Sequence, residues 1–274
     1  MGRFSGWLLV ADFDDTLRPY GTGGPVPEAN RRAAEEFMAE GGLFTIATGR
    51  DPRSYLHIRP LLKTNAPAVL SNGAVLFDGD RLESVYESFL PFSCRADLRA
   101  ALDAFPGLGM EVHRGADVCV CRWSAGVEKH LRNMGAEVRL AEMERVLFPW
   151  TKVVLAGEEL SAGENELSHA VTAWFRERFP DKYEAVPAGP LVDVVAAGSD
   201  KGTGVTRLAA LLDVDPERVV CVGDSWNDLP MLRAAAFAFA PSNALEAVRA
   251  EPGVVTVGES SVCLRDVVEH LRER

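Results

Sequence analysis

The chain has no apolar stretch near the roughly 18 residues needed to cross a bilayer, so no membrane partner is expected. It has no basic excess: 29 Lys and Arg against 40 Asp and Glu leave a net charge of −11. That argues against nucleic acid as a partner, which needs a basic face. It leaves an anionic ligand open, because a metal and a local lysine can dominate a pocket. Cysteine is sparse, with five residues (Cys94, Cys119, Cys121, Cys221 and Cys263) whose spacing fits neither a zinc site nor a redox CxxC. Reduced, structural thiols in a cytoplasmic protein are expected. The five histidines include no metal-pair spacing, and neither internal repeats nor low-complexity tracts occur. Near Arg3 only a brief apolar run precedes an acidic cluster. A signal peptide is not expected, since its cleavage would remove that cluster.

What is present is a soluble-type composition, 47% hydrophobic and 25% charged over 274 residues, and two short carboxylate clusters. Asp12-Phe13-Asp14-Asp15-Thr16 follows the apolar run Trp7–Val10. Gly223-Asp224-Ser225-Trp226-Asn227-Asp228 follows Val219–Val222. Acids gathered at strand ends repel one another unless a cation or proton joins them, which points to a divalent-metal site at one sheet edge.

The first 75 or so residues alternate strand and helix. Leu8–Ala11, Leu43–Ala47 and Ala68–Leu70 read as buried strands. A helix runs from Pro27 to about Glu40 with Ala29, Ala33, Ala34, Phe37 and Met38 as its apolar stripe. The far end repeats the pattern: helix Thr203–Leu212, strand Val219–Val222, helix Asp228–Ala235, strands Ala236–Ala240 and Val254–Val257, helix Val262–Leu271. This alternation predicts an α/β fold, a Rossmann-like doubly wound parallel sheet core. Between lie strand-like pieces (Val118–Trp123, Lys152–Leu155) and helical pieces (Ala96–Ala104, Ala125–Met134, Asn165–Arg178), read as an inserted α+β cap domain. The expected division is 1–78 core, 79–189 cap and 190–274 core.

Open parallel sheets bind ligands at the carboxyl ends of their strands. Asp12, Thr48, Asn72 and Asp224 each follow an apolar strand directly and would converge on one crevice. Asp12 and Asp14, two apart in an extended segment, share a side, and paired carboxylates can divide nucleophile and acid/base work. Asp224 adds a hard oxygen ligand of the kind that suits Mg²⁺. Lys201 opens a helix and could neutralise a phosphoryl group. Thr48 offers a hydroxyl, and Gly49 lets backbone approach an anion. The set suits phosphoryl transfer, which is mostly positioning and charge stabilisation.

With those residues in that order, the chain resembles the haloacid-dehalogenase-like phosphohydrolases. Asp12-x-Asp14-x-Thr16 looks like the family's first motif, Thr48 its second, Lys201 its third and Gly223-Asp224-x-x-Asn227-Asp228 its fourth. Ser71-Asn72-Gly73-Ala74, Thr48-Gly49-Arg50 and the long insertion point to the Cof-type branch with a C2-type cap, relatives of the sucrose-phosphate and mannosyl-phosphoglycerate phosphatases. The resemblance implies a Mg²⁺-dependent phosphatase acting on a small phosphorylated metabolite through an aspartyl-phosphate. Asp12 would be the nucleophile and Asp14 the proton shuttle. Asp12, the Asp14 carbonyl and Asp224 would hold the metal, and Asp228 would belong to the same metal site, orienting Lys201 or a metal-bound water. Thr48, Gly49 and Lys201 would grip phosphoryl oxygens, with Asn72, Arg50 and Asn227 reaching the substrate or bracing its loop. Thr16 would fix the turn after Asp12. Asp15 departs from the glycine common there and is expected to face away. The same chemistry admits a phosphomutase, and a non-catalytic phosphate-binding or signalling domain is a further alternative, which Asp14 disfavours. Monomer or homodimer is open.

Other polar residues carry plainer readings. Thr48 could cap the next helix as well as bind phosphate. Asn243 is expected to cap a helix over Ala244–Ala250. Core packing or a solvated edge is expected for Arg122, Trp123, Trp150 and Lys152, and turn chemistry for His113-Arg114.

Overall fold

The computed structural model describes residues 2–19, 24–134, 139–158 and 166–273. In chain order the elements are β1 (Leu8–Ala11), α1 (Glu28–Ala39), β2 (Leu43–Ile46), α2 (Pro52–Ile58), β3 (Ala68–Leu70), β4 (Val75–Asp78), β5 (Glu83–Glu87), α3 (Cys94–Ala104), β6 (Gly109–Arg114), β7 (Asp117–Arg122) and α4 (Ala125–Met134). There follow β8 (Lys152–Ala156), α5 (Glu166–Arg178), β9 (Tyr183–Ala188), β10 (Leu191–Ala196), α6 (Lys201–Leu211), β11 (Val219–Val222), α7 (Leu229–Ala234), β12 (Phe237–Pro241), α8 (Glu246–Arg249), β13 (Val254–Val257) and α9 (Cys263–Arg272). Asn165, expected to open the helix now seen from Glu166, lies outside the described residues.

The chain forms two compact units, one of residues 1–48, 56–85 and 200–274, the other of 49–55 and 86–199. The first is built on a parallel sheet in the order β13-β12-β11-β1-β2. Strands β1 and β11 are buried along their whole length. That explains why their sequences are unbroken apolar runs rather than alternating ones. Each such Leu or Val contributes roughly 1.5–3 kcal/mol on burial. β1 lies between β11 and β2, with Ala11 opposite both Val222 and Ile46. This register sets Asp12 beside the Gly223–Asp224 turn although the two are distant in sequence. A parallel bridge from Ala47 to Val69 ties β3 to the end of β2. Helix α1 buries Ala33, Ala34 and Phe37 as its spacing predicts, and Phe37 stacks on Phe4 at 4.6 Å. It also buries Asn30, whose amide donates to the Leu17 and Ser260 carbonyls at 3.1 and 2.6 Å.

The second unit is a five-stranded antiparallel sheet in the order β7-β6-β8-β10-β9. One face (Met110, Val112, Val153, Leu155, Val192, Val194) packs with residues of α3 and α5 into an apolar core. Strand β10 pairs with both β8 and β9, so the polypeptide up to Ser199 belongs here rather than to a core segment beginning at 190. At the other boundary residues 79–85 stay with the first unit, because β5 completes the β3-β4-β5 sheet.

Three plain readings change. Trp150 is core as expected, stacked on Phe148 at 4.3 Å, but Lys152 is 2% exposed and no solvated edge. His113 sits inside β6, fully buried, rather than in a turn. Asn243 does not cap α8, whose cap position is Leu245 without a side-chain bond. Its amide donates to the Asp15 carbonyl at 2.9 Å and its oxygen accepts from Ser260 N at 2.8 Å, joining two loops. No helix among the described residues is long and apolar enough to cross a membrane.

Candidate active site

The carboxyl ends of β1 and β11 carry the acids. Asp12 N donates to the Val222 carbonyl at 2.8 Å, continuing the β1–β11 ladder by one residue. A Cβ at Gly223 would lie 2.4 Å from the Asp228 Cβ, so glycine there lets the second cluster fold back on itself. In that turn Asp228 Oδ2 accepts from Asp224 N and Ser225 N at 2.9 and 3.0 Å. Its Oδ1 accepts from Lys201 Nζ at 2.6 Å, and the same ammonium donates to Asp12 Oδ1 at 2.6 Å. Lys201 is placed by the start of α6, where Asp200 and Thr203 form a reciprocal cap. Thr16 Oγ1 donates to Asp224 Oδ1, so Thr16 does more than fix a turn: it orients an acid from the other cluster.

Buried charge dominates this pocket. Burial pushes the Asp12 carboxyl up, with Lys201 pulling the other way. Asp224 is raised as well, first by burial and then by the charges of Asp12 and Asp228. Burial works against the Lys201 ammonium, but Asp12 and Asp228 outweigh it and hold its pKa up. One oxygen each of Asp12, Asp224 and Asp228 lies within 4.8 Å of the others. Three carboxylates facing one ammonium leave negative charge uncompensated, and a hard oxygen-rich pocket of this kind fits Mg²⁺. Asp228 accepts hydrogen bonds through both oxygens, from Lys201 and from the backbone of its own turn.

The remaining predicted residues fall as follows. Asp14 is half-buried, and its Oδ1 lies 3.8 Å from Arg18 Nη2. Arg18 was not singled out in the sequence; it is buried over the Phe13 ring at 5.0 Å. Asp15 is exposed, as expected, at a φ of 62°, a left-handed conformation that Asp tolerates better than most side chains. Thr48 N donates to the Val69 carbonyl at 2.8 Å and its own carbonyl accepts from Asn72 N at 3.2 Å. Asn72 Oδ1 accepts from Asn227 Nδ2 at 3.3 Å. Thus Asn72 and Asn227, distant in sequence, meet. Gly73 lets the start of α6 come close: at a φ of 91° a Cβ there would fall 1.9 Å from the Asp200 carbonyl oxygen. Helix α2 is capped by Asp51, which accepts from Arg53 N and Ser54 N at 2.9 and 3.1 Å, and not by Thr48. Gly49 and Arg50 belong to the second unit.

Residues 9–259 match the family described as haloacid dehalogenase-like hydrolase. The chain belongs to that family. YxeH of Bacillus subtilis, which carries a provisional phosphatase name, is 25% identical over 88% of this haloacid dehalogenase-like hydrolase and 89% of its own length. The chloroplastic endoribonuclease YBEY of Arabidopsis thaliana is 23% identical over 95% of this chain and 45% of its own length. This chain therefore spans less than half of that relative. Among solved structures, the subclass IIB sugar phosphatase BT4131 superposes with a TM-score of 0.79 at 22% identity, covering 97% of this chain and 98% of that one. The fold is that of this superfamily.

Proposed function

We propose that this enzyme is a Mg²⁺-dependent phosphatase of a small phosphorylated metabolite, with sugar phosphates the first substrates to try, working through an aspartyl-phosphate. The observation that carries the reading is Lys201 held between Asp12 and Asp228, at 2.6 Å from each, with Asp224 completing the carboxylate group. A site built only for stability would not bury three acids around one lysine. The names borne by relatives of similar length and fold point the same way.

Asp12 attacks phosphorus with one carboxylate oxygen, and the bond to the leaving alkoxide breaks. Asp14 gives that alkoxide its proton. In the second half Asp14 takes a proton from water, the water oxygen attacks phosphorus, and the Asp12–phosphorus bond breaks to release phosphate, restoring the Asp12 carboxylate and the protonated Asp14. Lys201 neutralises phosphoryl oxygens while keeping Asp12 oriented, and the Thr48 hydroxyl donates to the same group. Asp12, the Asp14 carbonyl and Asp224 would hold Mg²⁺, which supplies positive charge against carboxylate–phosphoryl repulsion. Thr16 fixes Asp224, and Asp228 fixes Lys201. The test is a panel of phosphorylated metabolites assayed for phosphate release, with and without EDTA. Release from at least one sugar phosphate, lost with EDTA and restored by Mg²⁺, is expected; turnover unaffected by EDTA would remove the metal from the reaction.

A further inference from the structure

The second unit has a buried polar sheet face that the proposed chemistry does not use. Glu111 and His113 on β6, Lys152 on β8 and Asp193 on β10 are all at most 3% exposed. By the period of two they share the face opposite the apolar core, with His113 opposite Lys152, and Glu111 and Asp193 both opposite Val154. Burying so many ionisable groups is expensive, and apolar residues of like size would stabilise the sheet as well or better. Their contacts lead to one place. Lys152 Nζ donates to the Gly49 carbonyl at 2.8 Å and lies 3.3 Å from Asp193 Oδ1. His113 Nδ1 lies 3.6 Å from Asp51 Oδ2, and its Nε2 lies 3.3 Å from Glu111 Oε2. Glu111 Oε1 in turn lies 2.9 Å from His130 Nδ1. The turn after Thr48 is thus gripped at Gly49 and at Asp51, on either side of Arg50.

The geometry points to Lys152 and His113 as positioning residues for the turn Gly49–Asp51, fixing the Gly49–Arg50 peptide for an anionic substrate. This rests on the reading of Thr48, Gly49 and Arg50 as part of the phosphoryl site. A peptide unit is planar and trans, so holding the Gly49 oxygen on the ammonium directs the Arg50 N–H to the opposite side. A charged donor makes that hold stronger than a neutral one. Asp51, 3.6 Å from the His113 ring as an ion-pair partner, accepts from Arg53 N and Ser54 N and so ties the following backbone to the turn.

The test combines two readouts on Lys152→Met and Lys152→Arg. Hydrogen exchange is expected to accelerate about tenfold at Arg53–Tyr55 in Lys152→Met, while β6, β8 and β10 keep wild-type protection. KM for p-nitrophenyl phosphate is expected to rise about tenfold with kcat much less affected, and Lys152→Arg should recover most of both. Exchange that is unchanged at Arg53–Tyr55, or raised over the whole unit, overturns the inference, as does an unchanged KM. If Lys152→Met does not fold, the double variant Lys152→Met/Asp193→Asn leaves no charge unpaired and gives the same two readouts. A wild type that hydrolyses no phosphate monoester sinks the phosphatase reading instead, and the exchange outcomes still decide whether Lys152 holds the turn.

Discussion

Replacing Glu111 by Gln removes one charge from the buried face of the second unit and keeps the side-chain volume, so no cavity opens. Burial alone would raise this carboxyl. The charge of His130, with hydrogen bonds from His113 and His130, outweighs burial and holds it at about 2 against an ordinary 4.5. At about 1.4 kcal/mol per pH unit, that difference is worth about 3 kcal/mol of folding free energy. Because the folded value is depressed, this stability is present above pH 4.5 and is lost as pH falls toward 2. His113 runs the other way. Burial opposes its charge, but Asp51 and Glu111 hold its pKa above the ordinary 6.5. Its contribution is therefore full below pH 6.5 and is lost as pH rises through the folded value. Both contributions coexist between pH 4.5 and 6.5. In urea denaturation followed by tryptophan fluorescence, Glu111→Gln should lie about 3 kcal/mol below wild type at about pH 6. Wild type should weaken from there toward alkaline pH, and the variant should weaken less. A variant within about 0.5 kcal/mol of wild type, with the same slope against pH, refutes the reasoning.

Gly73→Ala puts a Cβ into the Asp200 carbonyl at a left-handed position and should cost about 2–3 kcal/mol in a thermal or urea melt. Thr16→Val removes the hydroxyl that orients Asp224. It should lower kcat/KM about tenfold with circular dichroism unchanged, and a variant with wild-type kinetics would remove Thr16 from the site.

The parallel core was legible because its strands are buried on both faces, so unbroken runs such as Val219–Val222 stand out before polar clusters. The acids were legible for the same reason: each directly follows such a run. The ties between clusters were not. Thr16 reaches Asp224, and Asn72 meets Asn227, only because the sheet register and the Ser71–Gly73 turn bring distant segments together. Asn243 sits where a helix cap would, yet α8 is four residues long and its loop needs cross-bracing more than its helix needs a cap. The buried face of the second unit was hidden more deeply. His113 before Arg114 and Gly115 reads as a turn, and nothing local shows that it lies in a strand whose buried side Lys152, Asp193, Asp51 and α4 close over.

The central claim is that Asp12 does the chemistry. Its most direct test is p-nitrophenyl phosphate hydrolysis by wild type and Asp12→Asn, side by side in Mg²⁺, with thermal melts to show that both are folded. The account predicts p-nitrophenol release by wild type and a rate at least about a thousandfold lower in the variant. A folded Asp12→Asn variant that turns over within about threefold of wild type would contradict it.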